Sequence, residues 1–146
     1  MTPRRSSGSA AARRKEDPGT PARTSARSAC VVLDLEMADG RAHLLLANCG
    51  DAVATDVRVT FSRPLVGVGG RIVLSDLPLF AHLGVLRPGK VLRVFWDSSP
   101  VLLAGREAQP FEATVRWTEP GVARRVQRRA TYRHDPAIFR VWPSSA

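Results

Sequence analysis

The stretch CVVLDLEMADGRAHLLLANC, residues 30–49, constrains the fold more than any other part of the chain. Apolar residues alternate with others on both sides of Asp39-Gly40, a favoured pair for a two-residue hairpin turn because both residues tolerate positive φ. Counting outward from this turn, Leu33 opposes Leu46, and the apolar side chains gather on one face. The sequence therefore predicts an antiparallel hairpin with a defined register.

The same register places Cys30 directly opposite Cys49. Hydrogen-bonded and non-hydrogen-bonded pairs alternate along an antiparallel hairpin, and the count from the turn makes this a hydrogen-bonded pair, with Cα atoms about 5.5 Å apart. That separation lies within the range of about 4.4–6.8 Å that a disulfide requires. An intracellular location would keep the thiols reduced, and the hairpin already supplies the constraint that a crosslink would add. We expect two neighbouring reduced cysteines with a structural role.

Four further segments alternate with a period of two and are predicted strands: TDVRVTF (55–61), KVLRVFWD (90–97), FEATVRW (111–117) and ARRVQRRATYR (123–133). Proline and glycine interrupt residues 62–89, where only 71–74 and 80–86 are candidates for short strands. Residues 100–105 fit either a helical turn or a short strand. Many short strands with Gly/Pro turns predict an all-β antiparallel sandwich of about seven strands.

The first 29 residues differ from the rest of the chain, because they contain no Val, Ile, Leu, Phe, Trp or Tyr. Such a segment cannot bury enough apolar area to offset the entropy of ordering it. We therefore expect a disordered basic tail over residues 1–29 and a single domain over residues 30–142. Neither an apolar signal sequence nor a membrane span of about 20 apolar residues is visible, so we expect a cytoplasmic protein without a membrane span.

Basic residues are concentrated at the two ends of the chain. Residues 1–29 hold seven basic and two acidic residues, residues 30–119 hold nine and ten, and residues 120–146 hold six and one. The predicted domain is thus nearly neutral up to residue 119 and basic beyond it. The two basic ends are the natural candidates for contact with an anionic partner.

Three short motifs resemble a known family. They are NCGDAVATDVRVTF (48–61), LRPGKVLRVFW (86–96) and FEATVRWTEPG (111–121). In this order they resemble the bacterial immunoglobulin-like domains of the CARDB type, and more closely uncharacterised small actinobacterial proteins with the same succession. The resemblance covers residues 30–133. It implies an immunoglobulin-like β-sandwich that acts as a non-enzymatic interaction or structural module, and it transfers no catalytic residue.

Residues with catalytic or ligand-binding chemistry are scattered. His43, His82 and His134 have no cysteine or carboxylate at metal-ligand spacing, so we expect structural or solvated roles for them. The segment GVGGR (67–71) lacks the lysine and hydroxyl residue of a phosphate loop. No serine has a histidine at a spacing that suggests a nucleophile. We expect no enzymatic activity, no cofactor and no metal.

Two functions therefore remain open. The first is a non-catalytic interaction module with an unidentified protein partner. The alternative is non-specific binding of nucleic acid or an anionic surface through the tail and the C-terminal strand. Its candidate residues are Arg4, Arg5, Arg13, Arg14, Lys15, Arg124, Arg125, Arg128 and Arg129. In a strand, Arg125 and Arg129 would face solvent, whereas Arg124 and Arg128 would share the other face with Val126. Exposed edge strands also carry such charges simply to prevent aggregation.

Overall fold

Two antiparallel sheets whose inner faces share one apolar core make up the architecture. The structure is a computed structural model and describes residues 27–121 and 124–141. Its strands are β1 (Val31–Ala38), β2 (Arg41–Asn48), β3 (Ala54–Phe61), β4 (Val66–Gly67), β5 (Ile72–Val73), β6 (Leu83–Leu86), β7 (Val91–Ser98), β8 (Phe111–Glu119) and β9 (Val126–His134). Short helices are α1 (Pro78–Ala81) and α2 (Ser99–Ala104), and 3-10 turns cover Leu74–Asp76 and Pro136–Val141.

The first sheet has three strands in the order β1-β2-β7, and the second has four in the order β9-β8-β3-β6. Strands β4 and β5 form a separate two-residue ladder. All of these strand pairs are antiparallel. The seven strands of the two larger sheets confirm the predicted all-β sandwich.

The β1–β2 hairpin has the predicted register. Asp39 and Gly40 have φ values of 53° and 74°, the left-handed conformation that a type I′ turn requires. Leu33 pairs with Leu46 as predicted. One position beyond the last strand pair, the Cys49 N–H donates to the Cys30 carbonyl at 2.8 Å, so the predicted opposition of the two cysteines is confirmed.

Large aromatic side chains join the two sheets. Trp96 of β7 is fully buried, and its ring lies edge-on to that of Phe111 of β8, with centroids 5.6 Å apart. The Trp96 indole N–H is satisfied by the Val66 carbonyl at 2.9 Å. The backbone of the next residue, Gly67, lies so close to Trp96 that a Cβ on Gly67 would overlap the Trp96 carbonyl. The β4 segment therefore closes the core over Trp96.

The segment 62–89 differs from the prediction at the short strand β4 (Val66–Gly67), which was not among the candidates, and in the stretch 80–86. The candidate strand over residues 80–86 is confirmed only over Leu83–Leu86, because the chain is helical over Pro78–Ala81. Pro78 supplies a fixed φ at the first helical position, which favours a helical turn. That turn carries Phe80 fully into the core. Burial of one aromatic ring outweighs the weak period-two pattern of this stretch.

Other boundaries shift by a few residues. Strand β8 extends to Glu119 rather than 117, and β9 begins at Val126 rather than 123. Residues 100–104 of the ambiguous stretch 100–105 are helical as part of α2. Strand β3 contains a bulge between Thr55 and Arg58, where Asp56 has a φ of 49°.

The start of the domain also differs from the prediction, which assigned residues 1–29 to the tail. Ser28 and Ala29 lie on the sandwich: Ala29 is buried, and the Ser28 carbonyl accepts from the N–H groups of Asp51 and Ala52 at 2.9 and 3.3 Å. The predicted disorder of residues 1–26 lies outside the described residues, as does the domain's predicted last residue, 142.

Candidate functional site

Strand β9 presents two different faces, as the alternation predicts. Gln127, Arg129, Thr131 and Arg133 are exposed. Val126, Ala130, Tyr132 and His134 are half-buried on the opposite side, toward the other sheet. The Tyr132 hydroxyl donates to the Val31 carbonyl of β1 at 2.8 Å, which fixes the inward direction of this set.

A row of three arginines crosses the outer face of the four-stranded sheet. Arg129 of β9 pairs with Arg116 of β8, and Arg116 pairs with Arg58 of β3. All three side chains are exposed. Neighbouring strands lie about 4.8 Å apart, so three cationic side chains originate within about 10 Å of one another. The β3 bulge contributes to this alignment, because the extra residue turns Arg58 outward opposite Arg116.

Hydroxyl side chains form the next row of the same face. Thr131, Thr114 and Thr60 pair across the same three strands, and the Thr114 and Thr131 hydroxyl oxygens are 3.1 Å apart. We call the cationic residues of this surface the basic face. It comprises Arg58, Arg116, Arg125, Arg129 and Arg133. The face combines guanidinium donors with neutral hydroxyls, a suitable set for phosphate oxygens.

Two carboxylates lie at the margins of the basic face, and each already contacts a basic side chain. Asp56 is 2.9 Å from the His82 ring nitrogen, and Glu112 is 3.8 Å from Arg133. The hydrogen bond from His82 lowers the pKa of Asp56; desolvation opposes this shift, and the charges of His82, Arg58 and Arg125 add to it. Within residues 27–121 and 124–141, Arg58, Arg116 and Arg129 form no ion pair.

Arg128 lies on the other side of β9 and has a different environment. Its guanidinium contacts Glu119 at 2.6 Å, and the side chain of Glu119 is only 2% exposed. The second carboxylate oxygen of Glu119 accepts from the Ala29 N–H at 2.6 Å and from the Ser28 hydroxyl at 3.5 Å. We call this group, Ser28, Ala29, Glu119 and Arg128, the Glu119 clasp.

The clasp sets the protonation of its carboxylate. Burial raises the pKa of Glu119, but the hydrogen bonds from Arg128, Ala29 and Ser28, together with the charge of Arg128, lower it below its ordinary value. Glu119 is therefore held as a carboxylate that joins the start of the domain to strands β8 and β9. The alternation correctly separated Arg128 from Arg129, and the structure places Arg128, a candidate residue for a polyanion, in an ion pair with Glu119.

The remaining candidates are only partly covered by the structure. Arg4, Arg5, Arg13, Arg14 and Lys15 lie outside the described residues. Arg124 and Arg125 are exposed immediately before β9, and Arg129 is in the arginine row.

Sequence reasoning missed Arg58 and Arg116. The alternation of residues 55–61 and 111–117 already pointed both side chains outward. The alternation could not show that β3, β8 and β9 are neighbours in one sheet, which is what brings these side chains together.

The three histidines are separated in space. His43 lies against the Phe95 ring at 5.7 Å, His82 contacts Asp56, and the His134 ring nitrogen is 2.8 Å from the Leu33 carbonyl. No group of three or more His, Cys, Asp or Glu side chains suited to a metal ion occurs among the described residues. The GVGGR segment is a turn whose Gly69 N–H donates to the Asp97 carboxylate at 3.0 Å, so that amide already has an anionic partner.

In the part of the chain that the structure describes, no helix is long and apolar enough to cross a membrane.

Fold and site together define a class: an antiparallel β-sandwich with a row of arginines across the outer face of its larger sheet. The chain belongs to the family described as Domain of unknown function (DUF8453), which it matches over residues 9–140. The match includes part of the basic N-terminal segment as well as the sandwich. No curated protein and no solved structure matches the chain.

Proposed function

We propose that the chain is a non-catalytic, immunoglobulin-like binding module that binds nucleic acid non-specifically through its basic face. Its seven strands agree in number with the immunoglobulin constant-type sandwich. The succession of motifs supports kinship with bacterial CARDB-type domains and small actinobacterial proteins. The proposal includes a cytoplasmic location, where nucleic acids are abundant polyanions.

The observation that carries this proposal is the row formed by Arg58, Arg116 and Arg129. Protection of an exposed sheet edge explains the arginines of β9, which is an edge strand. It does not explain Arg58 and Arg116, because β3 and β8 are the two central strands. Like charges directly opposite one another destabilise a sheet. An anion lying across the row would relieve that repulsion.

The chemistry of the face favours phosphate oxygens over a particular base sequence. Guanidinium groups bind phosphate by paired hydrogen bonds, and the threonine hydroxyls offer additional donors. Sequence-tolerant binding of single strands usually requires exposed aromatic rings on which bases stack. Trp96 and Trp117 are buried, and the exposed ring of Phe95 lies on the three-stranded sheet rather than beside the basic face. We therefore expect a preference for the duplex backbone and little selection of sequence.

The basic residues outside the row extend the contact. Arg125 lies close enough to Asp56 to lower its pKa, so it belongs to the same surface as Arg58. The five candidate residues in the predicted tail, Arg4, Arg5, Arg13, Arg14 and Lys15, would add further phosphate contacts. A total of six to ten contacts would make the affinity fall by about 10³–10⁵ between 50 and 200 mM salt.

The test is a fluorescence-anisotropy titration of the full chain with a labelled duplex of arbitrary sequence across this salt range. The proposal predicts binding at low salt, a steep loss with salt, and equal affinity for a second, unrelated duplex. Absence of binding at 50 mM salt would reject it. Salt-resistant or sequence-selective binding would reject its non-specific form.

A second candidate function is binding of a protein partner through the outer face of the three-stranded sheet. Strand β7 exposes apolar side chains there, with Val91 49% and Phe95 41% accessible. A pull-down from lysate with and without nuclease separates the two candidates. Partners lost after nuclease treatment indicate bridging by nucleic acid, whereas partners that remain favour direct protein binding.

A further inference from the structure

The two cysteines of the chain lie opposite each other at the open end of the β1–β2 hairpin. The last strand pair is Val31 with Asn48, and one further backbone hydrogen bond joins the next position, where the Cys49 N–H donates to the Cys30 carbonyl at 2.8 Å. Cα atoms of such a hydrogen-bonded pair are about 5.5 Å apart, a separation that a disulfide can span.

Both thiols are accessible and on the same side of the sheet. Each is free and exposed. Strand alternation points Val31 and Asn48 into the core, so their neighbours Cys30 and Cys49 both point outward. The sequence contains only these two cysteines. Any intramolecular disulfide in this protein therefore joins these positions.

The backbone around the pair is anchored by Asn48. Its side-chain oxygen accepts from the N–H groups of Cys30 and Gly50 at 3.1 and 3.0 Å. Its amide donates to the carbonyls of Ala52 and Leu86 at 2.8 and 3.0 Å. The side chain is 1% exposed. Asn48 therefore holds both cysteine-bearing segments in register whether or not the sulfurs are joined.

Both cysteines also lie just outside regular secondary structure, where small adjustments are possible. Strand β1 begins at Val31, and strand β2 ends at Asn48. The Cys30 N–H is bonded to a side chain rather than to the ladder. A disulfide needs Cβ atoms closer than those of an average hydrogen-bonded pair. The ends of the two strands can supply that movement without disturbing the ladder between them.

We propose that Cys30 and Cys49 form a reversible intramolecular disulfide by exchange with a small-molecule disulfide of the glutathione type. One thiolate attacks a sulfur of the oxidised compound and releases one reduced thiol. The second thiolate then attacks the resulting mixed disulfide and releases the second reduced thiol. The protein loses two protons and two electrons, and the small disulfide is reduced to two thiols.

The bond would strengthen the point at which the N-terminal segment joins the domain. Ser28 makes two hydrogen bonds with Asp51. Its N–H donates to the Asp51 carboxylate at 2.8 Å, and its carbonyl accepts from the Asp51 N–H at 2.9 Å. Residues 28–30 thus run alongside residues 49–52. A disulfide between the cysteines would tie these two segments covalently, so that oxidation would lock the base of the basic segment onto the sandwich.

The experiment equilibrates the full chain in graded mixtures of reduced and oxidised glutathione, stops exchange by alkylation, and measures intact mass and crosslinked peptides. We expect one species lacking two hydrogens, with a Cys30–Cys49 crosslink. The equilibrium constant for the bond should be at least about tenfold higher in the folded chain than in denaturant, because the fold holds the thiols together. An equal or lower constant would overturn the proposal, as would persistent mixed disulfides or intermolecular dimers.

The variants Cys30→Ser and Cys49→Ser test the exchange route itself. Each keeps one exposed thiol, so each should accept one glutathione as a mixed disulfide and melt at the same temperature as the reduced wild type. The oxidised wild type should melt about 5 °C or more above its reduced form. A single variant that accepts no glutathione would show that the thiol is inaccessible, which also contradicts the proposal.

Discussion

Arg128 and Arg129 are neighbours in the sequence but belong to regions with opposite surroundings. Arg128 is part of the Glu119 clasp, where a buried carboxylate lies 2.6 Å from its guanidinium. Arg129 is part of the basic face, where the residue directly opposite is Arg116. One arginine is held by a negative charge that the fold supplies. The other faces a like charge.

The arginines of β9 therefore have two separate roles. An arginine paired with a buried carboxylate contributes to stability, since its removal leaves that carboxylate without its partner. Arginines stacked against one another contribute repulsion. On the three-stranded sheet, the exposed Arg93 also has an acidic partner, the half-buried Glu36, at 3.3 Å. The row of Arg58, Arg116 and Arg129 is therefore a place where like charges lie opposite one another and, among the described residues, form no ion pair that would stabilise the fold.

The largest expected effect separates the two regions by binding. The variant Arg58→Gln/Arg116→Gln/Arg129→Gln removes three phosphate contacts but leaves the clasp intact. At about 0.1 M salt its affinity for duplex DNA should fall about 10²–10³-fold, and the slope of log K against log salt should decrease by about 2.7. Anisotropy titrations across a salt series measure both quantities.

A charge-matched control is Arg41→Gln/Arg71→Gln/Arg87→Gln, which removes three exposed arginines outside the basic face. It should retain most of the affinity. Equal losses in the two triple variants would show that only net charge matters, and the distinction between the regions would fail.

The hairpin shows what the sequence is able to predict about this fold. The turn residues, the register and the pairing of the cysteines depend on local chemistry alone, and the structure confirms all three. The outward direction of Arg58, Arg116 and Arg129 was equally visible in the alternation. Their meeting in one row was not, because it depends on which strands are neighbours. That order is decided by packing of the whole core.

The clasp was missed for a similar physical reason. Ser28 and Ala29 follow a segment without large apolar residues, and nothing local distinguishes them from it. Their order depends on Glu119, about 90 positions away in the chain, where the Ala29 N–H finds a buried acceptor. Long-range hydrogen bonds of this kind leave no periodic signal. The α1 turn around Phe80 is a parallel case, in which burial in the core overrides the local pattern.

The second expected effect concerns stability and is confined to the clasp. Glu119→Gln keeps the shape of the side chain but removes the charge and one acceptor, and should lower the free energy of unfolding by about 1–3 kcal/mol at neutral pH. Affinity for DNA should change little. Urea denaturation measures the loss. A large change in affinity with no change in stability would contradict the assignment of Arg128 to the clasp.

The contribution of Glu119 to stability should depend on pH in a defined direction. The pKa of Glu119 is lower in the folded chain than its ordinary value of 4.5. Its contribution is therefore present above pH 4.5 and is lost as the pH falls through the folded-state pKa. The stability difference between wild type and Glu119→Gln should shrink in that acidic range. A difference that is constant from neutral pH to well below 4.5 would show that the charge is not responsible.

A third, smaller effect comes from shortening the chain. Deletion of residues 1–26 should leave the melting temperature within a few degrees, because the segment has no large apolar residue to bury. Deletion of residues 1–29 also removes Ser28 and Ala29 from the clasp and should cost about 1–2 kcal/mol more. Thermal melts of the two truncated proteins provide the comparison. Equal melting temperatures would mean that the clasp does not stabilise the fold.

The smallest expected effect has the opposite sign. Arg116 faces Arg58 on one side and Arg129 on the other, so Arg116→Gln removes both like-charge pairs. It should raise the free energy of unfolding by about 0.2–1 kcal/mol at low ionic strength, and the gain should diminish as salt screens the repulsion. Arg93→Gln, which removes the partner of Glu36 on the other sheet, should give no gain. Urea midpoints at two salt concentrations test both variants. If Arg116→Gln destabilises the domain, the row is part of what holds the sheet together, and relief of repulsion no longer supports an anionic ligand.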